Sequence, residues 1–399
     1  MIEDTRLAPY HEPESKVQAI MEMNQQRIVQ GGYTRSQIGN IDETGLNWGI
    51  GPTHVYASKK AERGEQEISD TKARITYIPL AISDGELGPD FFIVKHSVSS
   101  TTRADQTGMR VISNLHKVVG FRREDGWELK TWERTMTIKN RKDEDVTATH
   151  KVKYIIHTSG SVVTSQHKAW NDTVRMAMYI DLILKPFVAD KCGGKFFLWM
   201  DNVGSHKTDA LHEIFREACV EVGYLPPNMT QFLQVLDLVV NGPLKAHIRR
   251  LRAENLMKYF RQYKCLYNDE RQKPQEQRVI PKWNPPKPSM EECILAVMEL
   301  MTTGDLTTTK AKASIAATFE KTGNVAQSNG EFVKFTYSAS GGTIEISPTD
   351  TVEKYSISQN ELDQPQHDEP YSFAMDIIMI EDDCDLEFDS NPFDNEDFD

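Results

Sequence analysis

Long hydrophobic runs are missing from this chain of 399 residues. No apolar stretch approaches the roughly 20 residues that a membrane-spanning helix requires, so the sequence predicts no membrane segment. The first residues, MIEDTRLAPYHEPE, are acidic and interrupted by prolines, which argues against a signal peptide. With 39% hydrophobic and 26% charged residues, the composition is typical of a soluble globular protein.

Cysteine is scarce and follows no pattern. The five cysteines lie at positions 192, 219, 265, 293 and 384, without a CxxC motif or a cluster with histidine. An odd and scattered set predicts free thiols in a reducing compartment. The same pattern argues against a zinc site.

Positive charge is scarce overall but concentrated in one region. The net charge is −13, yet residues 241–289 hold 12 Lys or Arg against four acids. Residues 351–399 hold 16 acids against one lysine. The average therefore conceals a basic region and an acidic tail. The tail cannot bury enough apolar surface to offset the entropy of ordering, so we expect it to be disordered.

The hydrophobic periodicity predicts an α/β fold. Helical spacing covers residues 15–30, the segment after Asp172 up to about Pro186, and the segment after Thr208 or Asp209, either of which could cap that helix. Strands are predicted at 37–42, 74–83, 90–95, 196–200 and 220–224, and residues 99–168 indicate a β-rich insertion. The alternation of helix and strand after Asp172 favours parallel pairing there.

An acidic residue follows the most apolar of these strands. In KFFLWMDNVGSH, the run 196–200 ends at Asp201, and a short apolar run of this kind is typical of a strand buried on both faces. Open α/β sheets bind ligands at the ends of such strands. Taken alone, Asp201 could equally cap the next helix.

Three segments share an Asp predicted at the end of a strand and followed by small or polar residues. They are NIDETG with Asp42, WMDNVGSH with Asp201, and YLPPNMTQFLQVLDLVVNGPLK with Asp237. Together they resemble the DDE superfamily endonucleases of the pogo/Tigger/Jerky transposase type, in which DETG, DN…SH and LPP…T…LQ…LD…GPLK occur in this order. The resemblance extends from about Glu14 to Gly323, with 35 residues between Asp201 and Asp237. One departure is Val235, where the family often has proline.

The resemblance implies an RNase H-like mixed sheet flanked by helices, with Asp42 on the first strand, Asp201 on the fourth, and Asp237 at the start of a helix. It implies that these three residues are the catalytic metal ligands for two Mg²⁺ (or Mn²⁺) ions. Two such metal ions, about 3.5–4 Å apart, stabilise the attacking and leaving oxygens of phosphodiester cleavage. We therefore expect the three carboxyl groups within about 8 Å of one another. Glu43 points to the other face of a strand and is a weaker candidate.

Other residues are assigned supporting roles by the same resemblance. Asn202 and His206 match the second block and could hydrogen-bond near the metals, contact phosphate, or only brace the loop. Gln234 could contact DNA or be a structural amide. Lys245 and Arg249, one turn apart after Asp237, are the candidates for phosphate contacts, although a solvated helix face is the alternative.

The resemblance implies the following organisation: a helical lead-in at 1–34, a catalytic core at 35–240 with the insertion at about 99–168, a basic helical region at 241–330, and a low-complexity to disordered acidic tail at 331–399. Family members usually begin with helix-turn-helix DNA-binding domains, whereas this sequence starts in the catalytic region.

The expected function is cleavage and strand transfer on double-stranded DNA in the nucleus, without a membrane partner and with homo-oligomerisation on DNA as an option. The acidic tail could lie against the basic helix and compete with DNA. One alternative is a domesticated, catalytically silent chromatin- or DNA-associated protein. Another is a metal-dependent phosphohydrolase of a different α/β fold, against which the LPP…LQVLD…GPLK block argues.

Overall fold

Strands and helices alternate through most of the chain. The computed structural model describes residues 14–47, 74–95, 115, 119–139, 145–166, 168–202, 208–227, 229–282, 289–333, 335–340, 343–348 and 355–357. Its strands are β1 (Ile38–Ile41), β2 (Thr44–Leu46), β3 (Ile75–Ile78), β4 (Leu80–Ile82), β5 (Phe91–Lys95), β6 (Trp127–Lys139), β7 (Asp145–His157), β8 (Val162–Gln166), β9 (Phe196–Met200), β10 (Val220–Tyr224), β11 (Phe335–Ser340), β12 (Thr343–Pro348) and β13 (Tyr355–Ile357). Its helices are α1 (Glu14–Gly31), α2 (Thr173–Tyr179), α3 (Lys185–Lys191), α4 (Asp209–Glu217), α5 (Thr230–Leu233), α6 (Val235–Val239), α7 (Asn241–Gln272), α8 (Met290–Thr302) and α9 (Thr309–Lys321).

The strand formed by β1 and β2 and the strand formed by β3 and β4 are each interrupted once, and the two interruptions face each other. β1 and β2 pair antiparallel with β4 and β3 in one continuous register, from Gly39 opposite Ile82 to Leu46 opposite Ile75. That register places Asp42 opposite Pro79. Proline has no N–H to give to the ladder, so the pairing opens at this point. The opening leaves Asp42 outside regular strand structure.

The strands form two ladders, β10–β9–β1–β4 and β2–β3–β5–β8–β7–β6, and the continuous register of β1 and β2 with β4 and β3 aligns them into one order, β10–β9–β1/β2–β4/β3–β5. β1 and β9 are parallel, as are β9 and β10, whereas β3 runs antiparallel to both β2 and β5. Three antiparallel strands extended by two parallel ones on the side of the first strand form an RNase H-like mixed sheet. The predicted fold class is therefore confirmed.

β9 is buried on both faces, as its unbroken apolar run predicts. Phe196, Leu198 and Met200 join one hydrophobic cluster, whereas Phe197 and Trp199 join the other. Helices α2, α3 and α4 cover the first face, and α1, α8 and α9 contribute to the second. The alternation follows from the two-residue period of a strand. It makes β9 a rigid support for the residue that follows it.

The β-rich insertion extends the same sheet. β8 pairs in parallel with β5, and β7 and β6 continue outward as a long antiparallel hairpin. A polar clamp ties this hairpin to the helical layer. Trp132 Nε1 donates to Asp181 Oδ2 at 2.9 Å, and Arg134 Nη1 donates to both oxygens of Asp181 at 2.8 and 3.1 Å. The Arg134 side chain also forms an ion pair with Glu217.

Replacing Asp181 by alanine should lower the free energy of unfolding by about 2–3 kcal/mol, since hydrogen bonds to a charged group contribute about 1.5–3 kcal/mol and Arg134 would keep only Glu217. Urea titration of the purified variant measures this loss. Asp190→Ala, at an exposed position on α3, should stay within about 0.5 kcal/mol of the wild type. Equal stabilities of the two variants would exclude a stabilising role for the clamp.

The helix after Asp172 continues past its expected end. We predict from Pro186 that it stops there, but a π-helical turn at Ile180–Leu184 joins α2 to α3, which continues to Lys191. Lys185 N donates to Ile180 O across this wider turn. Pro186 then lies in the first turn of α3, where its missing N–H costs little.

The C-terminal part contains strands that were not predicted from the sequence. The backbone of β11–β13 forms an antiparallel sheet inside the range 331–399, which was predicted to be low-complexity to disordered. Alternation of apolar residues in FTYSAS and TIEIS accounts for these strands. Most of the acidic tail lies outside the described residues, so its disorder stays a prediction.

No helix in the described ranges is long and apolar enough to cross a membrane. Cys192 and Cys293 are buried free thiols, Cys219 and Cys265 are exposed free thiols, and Cys384 lies outside the described residues.

Candidate metal centre

Two of the predicted acidic residues leave the sheet at the same edge. β1 and β9 are parallel, and their register pairs Asn40 with Trp199. Asp42 and Asp201 each lie two residues beyond that pair. Because neighbouring strands are about 4.8 Å apart, equivalent positions on them share an edge and a face of the sheet. Both residues are partly exposed, whereas the strands behind them are buried.

A buried amide network holds the end of β1 against the helix that carries Asp237. Asn40 Nδ2 donates to Trp199 O at 3.2 Å and to Gln234 Oε1 at 3.1 Å. Gln234 Nε2 donates to Ile41 O at 2.7 Å, and Leu236 N donates to Asn40 Oδ1 at 3.2 Å. Both amide side chains have no exposed surface. Gln234 therefore uses its amide on protein partners, which favours the structural alternative, and its role stays a prediction.

Asn241 joins the Asp42 and Asp237 carboxylates. Its Nδ2 atom donates to Asp42 Oδ2 at 2.7 Å and to Asp237 Oδ1 at 2.8 Å. The two carboxylate oxygens can be no further apart than the sum of these distances, which is inside the expected range of about 8 Å. Asn241 is buried, Asp42 is partly exposed and Asp237 is exposed. The two carboxylates are therefore accessible to solvent, whereas the amide that joins them is buried.

Asp42 has the most perturbed carboxyl group of this site. Burial raises its pKa from the ordinary value near 3.8 to about 7, and the negative charge of Asp237 contributes next. Hydrogen bonds from the Glu43 backbone and from Asn241 oppose the rise, and the charge of Asp201 adds to it. A buried carboxyl group whose pKa is raised by a neighbouring carboxylate is in an arrangement that a bound divalent cation relieves.

The metal-free protein should be stabilised at alkaline pH by Asp42→Asn. The folded-state pKa of about 7 exceeds the unfolded value near 3.8, so native Asp42 favours the protonated form. Its contribution to stability is full below pH 3.8 and is lost as pH rises through 7. We expect the gain of the variant to be almost nothing below pH 3.8 and about 1–3 kcal/mol larger at pH 8 than at pH 5. Urea titrations with a chelator measure this, and an equal effect at both pH values would contradict the pKa assignment.

Asp201 approaches the pair more loosely. Its charge raises the pKa of Asp42, as the smallest of the causes, and also that of Tyr224. Within the described residues, no three His, Cys, Asp or Glu side chains stand close enough to enclose an ion. The ligand role of the three Asp residues stays a prediction.

The donor chemistry fits a hard divalent cation. Carboxylate and amide oxygens are the ligands preferred by Mg²⁺ and Mn²⁺. The Oδ1 atom of buried Asn241 has no hydrogen-bond partner, which leaves one oxygen available next to Asp42 and Asp237. The residues that could hold a cation are therefore Asp42, Asp237 and Asn241, with Asp201 at the same edge.

A helical row leads from Asp237 into the basic region. Backbone bonds from Val240 N to Leu236 O and from Leu244 N to Val240 O carry the helical path from α6 into α7. Asp237, Asn241, Lys245 and Arg249 follow at steps of four residues, each of which turns by only about 40°. Lys245 and Arg249 are both partly exposed. Arg252, in contrast, is buried and its pKa is lowered by that burial.

The remaining candidates are placed as follows. Asn202 is partly exposed directly after Asp201, and His206 lies outside the described residues. Glu43 is exposed and its Oε1 accepts from Asn171 Nδ2 at 2.7 Å. The Glu43 side chain therefore holds the segment after Asp42 to the chain before α2.

Residues 138–276 match the family model described as DDE superfamily endonuclease. This segment is similar to the DDE superfamily endonucleases. It includes Asp201, Asp237, Asn241, Lys245 and Arg249, whereas Asp42 lies before it. The match does not distinguish the pogo/Tigger/Jerky type within the DDE superfamily.

Several solved structures resemble this chain distantly. A pre-cleavage Mos1 transpososome has 8% sequence identity and a TM-score of 0.34, with 82% of this chain and 66% of that chain covered. The Mos1 mariner paired-end complex with Mn has 9% identity and a TM-score of 0.34, covering 75% and 69%. The catalytic domain of Mos1 mariner transposase has 10% identity and a TM-score of 0.29, covering 82% and 99%. The RNase H-like strand order stands independently of these likenesses.

Two amide residues that hold the acidic site together were not predicted from the sequence. Asn40 precedes Asp42 by two positions, and Asn241 follows Asp237 by one helical turn. The four-residue spacing between Asp237 and Asn241 was a usable signal, because residues at i and i+4 share a helix face. No local pattern marks Asn40, whose partners lie about 160 to 200 positions away along the chain.

Proposed function

We propose that this chain is a transposase-like, metal-dependent nuclease that cuts double-stranded DNA and transfers the cut strand. Asp42, Asp201 and Asp237 would hold two Mg²⁺ or Mn²⁺ ions. The observation that carries the proposal is the junction of Asp42 and Asp237 through Asn241, at the sheet edge where β9 delivers Asp201. The DDE superfamily match over 138–276 supports the same reaction class.

The chemistry requires a site that tolerates a dianionic transition state. When bound, the two metal ions would act as Lewis acids on the attacking and leaving oxygens. In hydrolysis, water attacks phosphorus, loses a proton, and the P–O3′ bond breaks to leave a 3′-hydroxyl and a 5′-phosphate. In strand transfer, a 3′-hydroxyl replaces water as the nucleophile. Asp42, whose pKa is raised to about 7, would give up its proton when a cation binds.

The helical row explains how DNA could reach the carboxylates. Lys245 lies eight residues beyond Asp237, which is about 12 Å along the helix, and Arg249 lies one further turn away. Contacts from these two side chains would go to phosphate and carry no base information. Arg252 is buried and is not part of the proposed path.

A salt titration tests the DNA-binding half of this proposal. Lys245→Ala/Arg249→Ala should weaken binding to unrelated duplexes by similar factors and make the slope of log K against log salt about two units less negative. The titration is done with Mg²⁺ present and cleavage blocked by Asp201→Asn. Lys185→Ala/Lys191→Ala on α3 is the matched control, since α3 packs on the opposite face of the sheet and should leave the slope unchanged.

An unchanged slope in the Lys245/Arg249 variant would mean that this part of α7 is only a solvated face. A loss confined to one sequence would mean that it reads bases. Salt-dependent binding together with an absence of cleavage under every divalent ion would favour the catalytically silent, DNA-associated alternative. We also propose that the protein acts in the nucleus. Assembly into an oligomer on DNA is part of the same proposal.

A further inference from the structure

Asn241 lies at the centre of the acidic site, and its side chain is only half satisfied. The residue is 2% exposed. Its Nδ2 atom uses its two hydrogens on Asp42 and Asp237. Its Oδ1 atom is buried and has no hydrogen-bond partner. A buried acceptor without a partner is costly, so a specific reason for it is expected.

The orientation of this amide depends on the charge beside it. With two carboxylates in front of it, the amide presents its nitrogen, because an oxygen there would face two anionic oxygens. A divalent cation between the carboxylates reverses that preference, since amide oxygens are good ligands for hard cations. Nitrogen and oxygen exchange places by a half-turn about the terminal side-chain torsion, with almost no change in volume.

We propose that Asn241 is a further metal ligand, bridging Asp42 and Asp237 through its nitrogen without metal and turning its carbonyl oxygen to a divalent ion bound between them. This inference rests on the proposed function, because it concerns the same site. The Asn241 carbonyl would supply a third protein oxygen at a site where the described residues contain no close group of three His, Cys, Asp or Glu side chains.

The fold holds Asn241 in a suitable position. It is the first residue of α7, one turn after Asp237, and Pro243 in the first turn favours a helix start there. Leu244 is fully buried in the core that also contains Trp199 and Leu236. The backbone of Asn241 is therefore anchored, and only its amide has to rotate.

Calorimetric titration of Mg²⁺ and of Mn²⁺ into metal-free full-length protein tests this role without reference to activity. If Asn241 is a ligand, Asn241→Ala should weaken both affinities at least tenfold. If Asn241 only bridges the carboxylates, the ion merely displaces an N–H donor, and the alanine variant should bind equally well or more tightly. Asn268→Ala, exposed on the same helix, is the matched control and should bind as the wild type does.

A second variant keeps the test decisive if alanine prevents folding. Asn241→Asp retains an oxygen and loses the N–H donor, so it should melt at a lower temperature without metal and bind Mg²⁺ at least as tightly as the wild type. Tenfold weaker binding by this aspartate variant would overturn the ligand role. Failure of the wild type to bind either ion overturns the proposed function itself. Wild-type binding with unchanged or tighter binding by Asn241→Ala overturns only the role of Asn241.

Discussion

Asp237→Asn is expected to reduce metal-dependent cleavage of double-stranded DNA by roughly a thousandfold or more. Metal coordination contributes several kcal/mol to stabilising the transition state, and each 1.36 kcal/mol changes the rate tenfold. Asparagine keeps the size of the side chain and an acceptor for Asn241, but it removes the negative charge that a divalent ion requires. The measurement is the single-turnover rate of strand cleavage with Mg²⁺ and with Mn²⁺.

This variant should retain its fold and its affinity for DNA. Asp237 is exposed, so its replacement leaves no buried group unpaired. Asp190→Asn, exposed on α3, is the control and should cleave at the wild-type rate. A rate within tenfold of the wild type for Asp237→Asn would exclude Asp237 as a metal ligand, whatever the other two aspartates do.

Asn40→Ala is expected to have the largest effect on stability, about 3–5 kcal/mol. The substitution removes the partners of Trp199 O, Gln234 Oε1 and Leu236 N in a region without solvent access. Each buried group left unpaired costs about 1–3 kcal/mol, and the cavity adds to the loss. Urea unfolding should show a lower midpoint with an unchanged slope. The exposed Gln262→Ala should stay within about 0.5 kcal/mol of the wild type.

A double-mutant cycle with Gln234 tests whether these amides act as a unit. Once Asn40 is replaced, Gln234 Nε2 still donates to Ile41 O, but its own acceptor is unpaired. The free-energy losses of Asn40→Ala and Gln234→Ala should therefore be less than additive by at least about 0.5 kcal/mol. Strict additivity would mean that each amide serves only its backbone partners.

Several features of the site could be predicted from the sequence because they depend on short stretches. The run 196–200 shows by its lack of polar residues that it is buried on both faces, and the structure confirms this. The edge position of Asp42 and Asp201 follows once both strands are known to be parallel neighbours. The single strand predicted at 74–83 is in fact interrupted at Pro79, and the position of this proline opposite Asp42 requires the pairing register.

The remaining features depend on contacts between distant segments. Gln234 could not be assigned from its own neighbourhood, because an amide on a helix is equally suited to DNA or to a buried carbonyl. Its partner Ile41 lies 193 positions earlier. The continuation of the helix beyond Pro186 depends on a π-helical turn, which no periodicity announces. The backbone strands after residue 335 were overlooked because the acidic composition of the surrounding tail dominated the average.

Anomalous scattering from Mn²⁺ would locate the metal ions in crystals of the protein with a DNA duplex and Asp201 intact, under conditions that slow cleavage. We expect two Mn²⁺ peaks about 3.5–4 Å apart, held by Asp42, Asp201 and Asp237. Full occupancy elsewhere in the protein, or no peak among these three carboxylates at saturating Mn²⁺, would contradict this expectation.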